Sequence, residues 1–208
     1  MELDAAKNLK PLVRRAAVSH LPTRFGAFTI HGYREVSNGL EHVALCHGVA
    51  PFTGATLVRI HSECLTGEAF GSLRCDCRIQ LDLALEKIAA AKSGVVVYLR
   101  GQEGRGIGLI NKLRAYALQD AGHDTAHANS ELGLPVDARN YGAAFSILED
   151  LGVSSLRLMT NNPEKIRAAE KAGFPVVERV PLVGVTTDDN ARYLRTKAAK
   201  FGHLFPDL

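Results

Sequence analysis

From Gly26 to Ile60 the chain runs in short apolar stretches separated by glycines: Ala27–Ile30, His42–Cys46 and Thr56–Ile60. Such stretches bounded by turn formers predict strands. At Cys77 the period changes. Ile79, Leu81, Leu83, Leu85 and Ile88, with Ala84 and Ala89, predict a helix over 77–91 that ends at Ser93-Gly94. Val95–Leu99 is a continuous, largely β-branched run, the signature of a buried strand. A glycine-rich turn follows from Gly101 to Gly108, and then a helical pattern over Leu109–Ala121 stopped by Gly122. Tyr141–Leu151, stopped by Gly152, predicts a third helix, and Ser155–Met159 a strand. Pro163–Ala172 predicts a fourth helix, with Pro at its first position and Gly173 just past its end. Phe174–Arg179 predicts a further strand. Strand and helix thus alternate through the second half, with no internal repeat. The expected fold class is α/β, a layered α/β/α arrangement around a mixed sheet in a single domain. Residues 1–20 are expected to be a loosely held N-terminal segment, 21–203 the folded body and 204–208 a tail.

Composition narrows the function. The chain has 208 residues, 46% apolar and 23% charged, the mixture of a globular domain that buries its own core. No run approaches the roughly 20 apolar residues that a membrane span requires, so no membrane association is expected. Met1-Glu2-Leu3-Asp4 carries acids early and no apolar segment follows, so a cytoplasmic location is expected. The net charge of +3, the absence of Trp and the scattered aromatics argue against nucleic acid as a partner. A polyanion, if bound, needs a localised pocket. Four cysteines in a cytoplasmic chain are not expected to form a disulfide framework.

Their spacing says more. Cys64, Cys75 and Cys77 form C-x10-C-x-C where a strand gives way to a helix. One intervening residue lets two thiolates reach one ion, and the ten-residue loop brings in the third. Soft thiolates select zinc over magnesium or calcium, and three ligands leave a tetrahedral position open. Spacing alone leaves a structural site open too, with His61 or His47 as a fourth ligand. Cys46 lies in a strand pattern and reads as a small core residue. The company of Arg59, His61, Glu63, Arg74, Asp76 and Arg78 favours catalysis over a plain structural knuckle.

Two further features suit an anion. Leu99-Arg100-Gly101-Gln102-Glu103-Gly104-Arg105-Gly106-Ile107-Gly108 follows a buried strand and opens a helix, so backbone N–H groups and two arginines converge. It is neither a P-loop nor a dinucleotide fingerprint, and a tight structural turn explains it equally well. Thr160-Asn161-Asn162-Pro163-Glu164-Lys165 stands where a strand meets a helix, a usual ligand position in open α/β sheets, although helix capping also accounts for it. Asp137 and Arg139 precede a helix, where spacing alone reads the acid as a helix N-terminal charge.

Together, Arg59–Gly67, Leu73–Cys77, Gln102–Leu109, Asn111–Asp120, Thr160–Pro163 and Tyr193–Lys197 resemble the GTP cyclohydrolase II family, in register from about Leu21 to His203. The resemblance implies that Cys64, Cys75 and Cys77 bind one catalytic Zn2+ per chain. It implies that Arg59, Ile60, His61, Ser62, Glu63 and Gln80 hold the nucleotide, together with Glu103, Gly104 and Arg105. Thr125, Thr160 and Lys165 match further substrate contacts. Asp137 matches a proton acceptor, which reverses the reading from spacing. Arg139 matches a nucleophile toward the α-phosphate, and Tyr116 a tyrosine that assists ring opening near the zinc. A guanidinium is always protonated, so stabilising charge on the α-phosphate is the easier role for Arg139. The implied substrate is GTP, with Mg2+ on its phosphates, and the implied assembly a homodimer. The implied reaction opens the imidazole ring, releases formate and pyrophosphate, and gives 2,5-diamino-6-(5-phosphoribosylamino)pyrimidin-4(3H)-one, the first step of riboflavin biosynthesis. Asn140 stands where the family often has an acid, and Gly101 lengthens the turn before Gln102. Rival readings are a related hydrolase of a specialised pathway and a zinc-stabilised nucleotide-binding module without turnover.

Overall fold

The computed structural model describes residues 12–121, 131–184, 202 and 204. The apolar runs become strands β2 (Gly26–Glu35), β3 (Glu41–His47), β4 (Ala55–Ser62), β5 (Gly94–Leu99), β6 (Ser155–Met159) and β7 (Val176–Val180). The helical periods become α2 (Cys77–Ala91), α3 (Leu109–Asp120), α4 (Gly142–Asp150) and α5 (Pro163–Lys171). Two elements add to the sequence reading. Strand β1 (Val13–Thr23) pairs antiparallel with β2, so the segment expected to be loose up to residue 20 is partly an edge strand. Its mostly exposed pattern, with Arg14, Arg15 and Pro22, shows no apolar alternation and suits an edge. Helix α1 (Leu65–Glu68) is a single turn between Cys64 and the loop to Cys75, too short to carry a period.

The seven strands form one mixed sheet in the order β1-β2-β3-β5-β4-β6-β7. β1, β2, β3 and β5 pair antiparallel, whereas β5, β4, β6 and β7 run parallel. Side chains alternate across the sheet with a period of two. Val58, Ile60, Val95, Val97, Leu156 and Leu158 meet Ala144, Ile147 and Leu148 of α4 and Ala169 of α5 on one face. Leu57, Val96 and Met159 meet Ala84, Leu85 and Ile88 of α2 on the other. This is the α/β/α layering expected from the sequence.

The topology chooses the site. From β4 the chain passes through α2 to β5, on one side; from β6 it passes through α5 to β7, on the other. The crevice between the carboxyl ends of neighbouring β4 and β6 is therefore the switch point where open parallel sheets bind ligands. Arg59 and His61, two and four residues past Leu57, share the face covered by α2 and reach this crevice.

Candidate active site

A cavity of about 430 Å³ opens at these strand ends, within the range of small-molecule sites. Its walls come from the end of β4, the loop before α2, the glycine turn after β5, α3, Arg139 and the start of α5.

The three thiols meet there. Cys64 lies two residues past β4, at the N-cap of α1, Cys75 lies in the loop after α1, and Cys77 is the first residue of α2. Cys64 Sγ and Cys75 Sγ stand 3.7 Å apart, and all three sulfurs lie within 4.8 Å of one another. Sulfurs bonded at about 2.3 Å to one tetrahedral ion stand about 3.8 Å apart, so the donor set fits zinc. A disulfide needs about 2.05 Å, so the cysteines are free. Hydrogen bonds from the Cys75 and Cys77 thiols, with the Lys112 ammonium nearby, hold the Cys64 thiol well below its usual value. Among the described residues neither His47 nor His61 joins this group. Cys46, as expected, is a core residue, and burial pushes its thiol up to about 12.

Gly67 explains how the sulfurs converge. It is buried in α1, and a Cβ there would stand 2.8 Å from Cys75 Sγ and 3.2 Å from Cys64 Sγ. Only hydrogen fits. Across the thiols, Tyr116 of α3 lines the cavity, with the Lys112 ammonium 5.6 Å and the Arg74 guanidinium 4.8 Å from its ring centre. Burial raises the Tyr116 phenol above its ordinary value, so it stays protonated at neutral pH.

The nucleotide-binding candidates divide. Arg59 is buried; it donates to Met159 O at 2.9 Å and to Gln80 Oε1 at 2.6 Å, and burial lowers it to about 10. His61 shares a hydrogen bond of 2.7 Å between Nε2 and Glu68 Oε1, and its ring stacks on Tyr98 at 5.6 Å. Burial outweighs the Glu68 hydrogen bond and lowers His61 to about 4, so the ring is neutral. Ser62 donates to Gln102 Oε1 at 2.6 Å, and Glu63 accepts the Gly101 N–H. Ile60 differs: its side chain joins the core on the α4 face, and its carbonyl accepts from Lys165 Nζ at 2.8 Å. Thr160 accepts the Asn162 N–H at 3.0 Å, while Asn162 caps α5 by accepting the Glu164 N–H at 2.9 Å. The capping role weighed for this motif is thus present beside the cavity lining by Thr160 and Lys165. Thr125 lies outside the described residues.

The glycine turn has a packing reason. Gly104 and Arg105 have φ of 60° and 63°, and Gly106 has φ 86° with its α-carbon against the 138–139 backbone. A Cβ on Gly106 would meet the Ala138 carbonyl carbon at 3.0 Å. Ala138 N–H donates to Arg105 O at 2.9 Å, and Gln102 Nε2 to Asn140 O at 2.6 Å. The turn therefore seats the segment that carries Asp137 and Arg139. These two form a two-pronged ion pair, Arg139 Nε to Asp137 Oδ1 at 2.9 Å and Nη2 to Oδ2 at 2.5 Å. Burial on its own would raise Asp137, but the Arg139 bonds and charge outweigh it and hold the carboxyl below its ordinary value. Arg139 lines the cavity.

Sequence reasoning gave no role to Gly67, Glu68, Tyr98, Gln102 or Lys112. A lysine on the same helix face as Ala115, one turn apart, was the available sign for Lys112.

An α/β sheet whose switch-point crevice pairs three convergent thiols with guanidinium and ammonium groups falls in the class of folds with a donor set that could hold a metal beside cationic side chains. Comparison makes that class particular. A family model for GTP cyclohydrolase II matches residues 14–181. A GTP cyclohydrolase-2 of Azotobacter vinelandii is 55% identical over 92% of this chain and 92% of its own length. The chain belongs to the GTP cyclohydrolase II family. Riboflavin biosynthesis protein RibBA of Salinispora tropica is 56% identical over 92% of this chain and 48% of its own length. The bifunctional riboflavin biosynthesis protein RIBA 1, chloroplastic, of Arabidopsis thaliana is 54% identical over 93% of this chain and 36% of its own length. The chain thus spans about a third to a half of these longer relatives. Among solved structures, a two-domain 3,4-dihydroxy-2-butanone 4-phosphate synthase from A. baumannii is similar at a TM-score of 0.49 and 22% identity, covering 85% of this chain and 42% of that one, a likeness too loose to bear on the site.

Proposed function

We propose that this chain is a GTP cyclohydrolase II, hydrolysing GTP to formate, pyrophosphate and 2,5-diamino-6-(5-phosphoribosylamino)pyrimidin-4(3H)-one. The observation that carries the reading is one cavity lined by a convergent three-thiol set and by Arg59, Arg139 and Lys165. Cys64, Cys75 and Cys77 would hold Zn2+, which supplies a Lewis acid able to acidify water near neutral pH. Everything else falls to the chain itself. Arg59, Thr160 and Lys165 take phosphate oxygens, with Mg2+ neutralising the rest of the triphosphate. Arg139, gripped by Asp137, presents its guanidinium to the α-phosphate and stabilises charge there as pyrophosphate leaves. Asp137, ionised through the neutral range, accepts a proton in the hydrolytic step. Tyr116 stays protonated and can give a proton beside the thiols as the ring opens. The neutral His61, fixed by Glu68, orients the bound nucleotide.

No helix among the described residues is long and apolar enough to cross a membrane. Free thiols suit a reducing compartment, and we place the chain in the cytoplasm. Family resemblance further proposes a homodimer, which sedimentation would measure.

The test is incubation of purified protein with GTP and Mg2+, following formate and pyrophosphate together and weighing the product. Equimolar release of both is expected, and an intact guanine chromophore would overturn the proposal. Asp137→Asn is expected to bind GTP near-normally yet release no formate; undiminished formate would remove Asp137 from the chemistry.

A further inference from the structure

Lys112 is out of keeping with its place. It sits in the first half of α3, only 9% exposed, one turn from the buried Ala115. A lysine ammonium has three N–H donors and no acceptor, and burying it is costly unless all are engaged. Each has a destination: Cys64 Sγ at 3.2 Å, Thr66 Oγ1 at 2.8 Å and Glu103 Oε1 at 2.5 Å. Glu103 is then consumed as well, because its other oxygen accepts the Leu65 N–H at 2.7 Å. Leu65 is the residue after Cys64 and the first of α1. The contacts close a ring running from thiolate to ammonium to carboxylate and back to the backbone beside the same thiolate.

We infer that Lys112 is a positioning residue of the metal centre, holding the Cys64 sulfur and offsetting its charge, and that Glu103 acts through Lys112. The inference rests on the metal reading proposed above. Three thiolates around a divalent ion leave one negative charge in excess, in a site partly closed to water. An ammonium 3.2 Å from one sulfur offsets that excess and removes electron density from the sulfur through the N–H···S bond. A purely structural ion pair explains the Glu103 bond but has no need of a sulfur. The Thr66 bond adds direction: Thr66 Oγ1 also lies 3.7 Å from Cys64 Sγ, so the hydroxyl and ammonium approach the sulfur together.

The experiment loads the native chain and its variants with Co2+, whose thiolate-to-metal charge-transfer absorption reports on the sulfurs directly. Chelator competition on the same samples reports affinity. Lys112→Met leaves the Glu103 carboxylate buried and unpaired, which threatens the fold, so the informative variant is the double Lys112→Met, Glu103→Gln. The expected result is a charge-transfer band moved to lower energy, because a sulfur without its N–H bond donates more readily. Metal binding is expected to weaken about 10- to 100-fold, the usual effect of removing a partner of a metal ligand. Lys112→Arg, which keeps the charge but not the compact ammonium, is expected to recover part of both. A folded double variant with native band energy and native affinity overturns the inference while the metal centre stands. Should the double variant not fold, Lys112→Arg decides alone, and an unmoved band overturns the inference. A native chain that takes up Co2+ with no charge-transfer band overturns the metal reading itself.

Discussion

Replacing Gly67 with alanine tests whether the three thiols are packed for an ion or merely adjacent. The added methyl would stand 2.8 Å from Cys75 Sγ, 3.2 Å from Cys64 Sγ and 3.4 Å from Cys77 Cβ. Ordinary contacts lie at roughly 3.5–4.0 Å, so the Cys75 sulfur must retreat by about 0.7–1.2 Å. A metal site tolerates about 0.2 Å in its bond lengths. The backbone at Gly67 is not left-handed, so space alone is at issue. Overpacking of this kind costs about 1–3 kcal/mol, which corresponds to about five- to 150-fold weaker metal binding. Without metal the thiols can swing aside and most of the cost disappears. The expected outcome is therefore a metal-free chain melting close to native, a smaller rise in Tm on adding Zn2+, and weaker binding in competition with a chromophoric chelator. Native metal affinity in Gly67→Ala would refute the reasoning. Equal destabilisation with and without metal would place the strain elsewhere than at the sulfurs.

Gly106→Ala combines a φ of 86° with a clash against the Ala138 backbone, and should displace Arg139 rather than unfold the chain. Misplacement by about 1 Å can cost about 100-fold in rate, so kcat/KM for GTP should fall that far while circular dichroism is preserved; an unchanged kcat/KM would refute it. His61 gives a pH prediction. Its folded value is lowered to about 4, chiefly by burial, so on acidification the unfolded chain takes up the proton first. Its contribution is full above about pH 6.5 and is lost as the pH falls to about 4, on the order of 3 kcal/mol. In metal-free protein, His61→Gln should flatten the fall of Tm over that window, and a slope equal to native would remove His61 as its source.

The predicted helices began within a residue of the observed ones, because their periods and stops were local: α2 runs from Cys77 to Ala91, and α5 opens at Pro163 behind its Asn162 cap. Strand β1 was not legible. An edge strand buries little, so no apolar alternation marks it. The thiol spacing points to a possible metal site, yet nothing in it says that neither His61 nor His47 joins the thiols among the described residues; His61 is instead engaged by Glu68. Asp137 and Arg139 read as a helix-start acid and its neighbour until the family resemblance intervened. The pairing that matters for them is non-local, through Ala138 to the glycine turn. Ile60 shows what a motif does not carry: its place there says nothing of which side of the sheet its side chain takes, and alternation sends that side chain to the core.

The glycine turn is the part that couples the two halves of the proposed chemistry. At one end it is stitched to β4: Gly101 N–H donates to Glu63, Gln102 accepts from Ser62, and Glu103 reaches the backbone after Cys64. At the other end Gln102 and Arg105 hold the backbone at Asn140 and Ala138, which flank Arg139. Ring opening would occur at the thiols and pyrophosphate loss at Arg139, so one short loop sets the separation between two reacting centres on a single nucleotide. Its positive-φ positions are then geometric requirements, since a side chain that straightened the turn would move one centre relative to the other without touching either. Substitutions in this loop should for that reason impair both product releases together, whereas substitutions at Tyr116 or Asp137 should separate them.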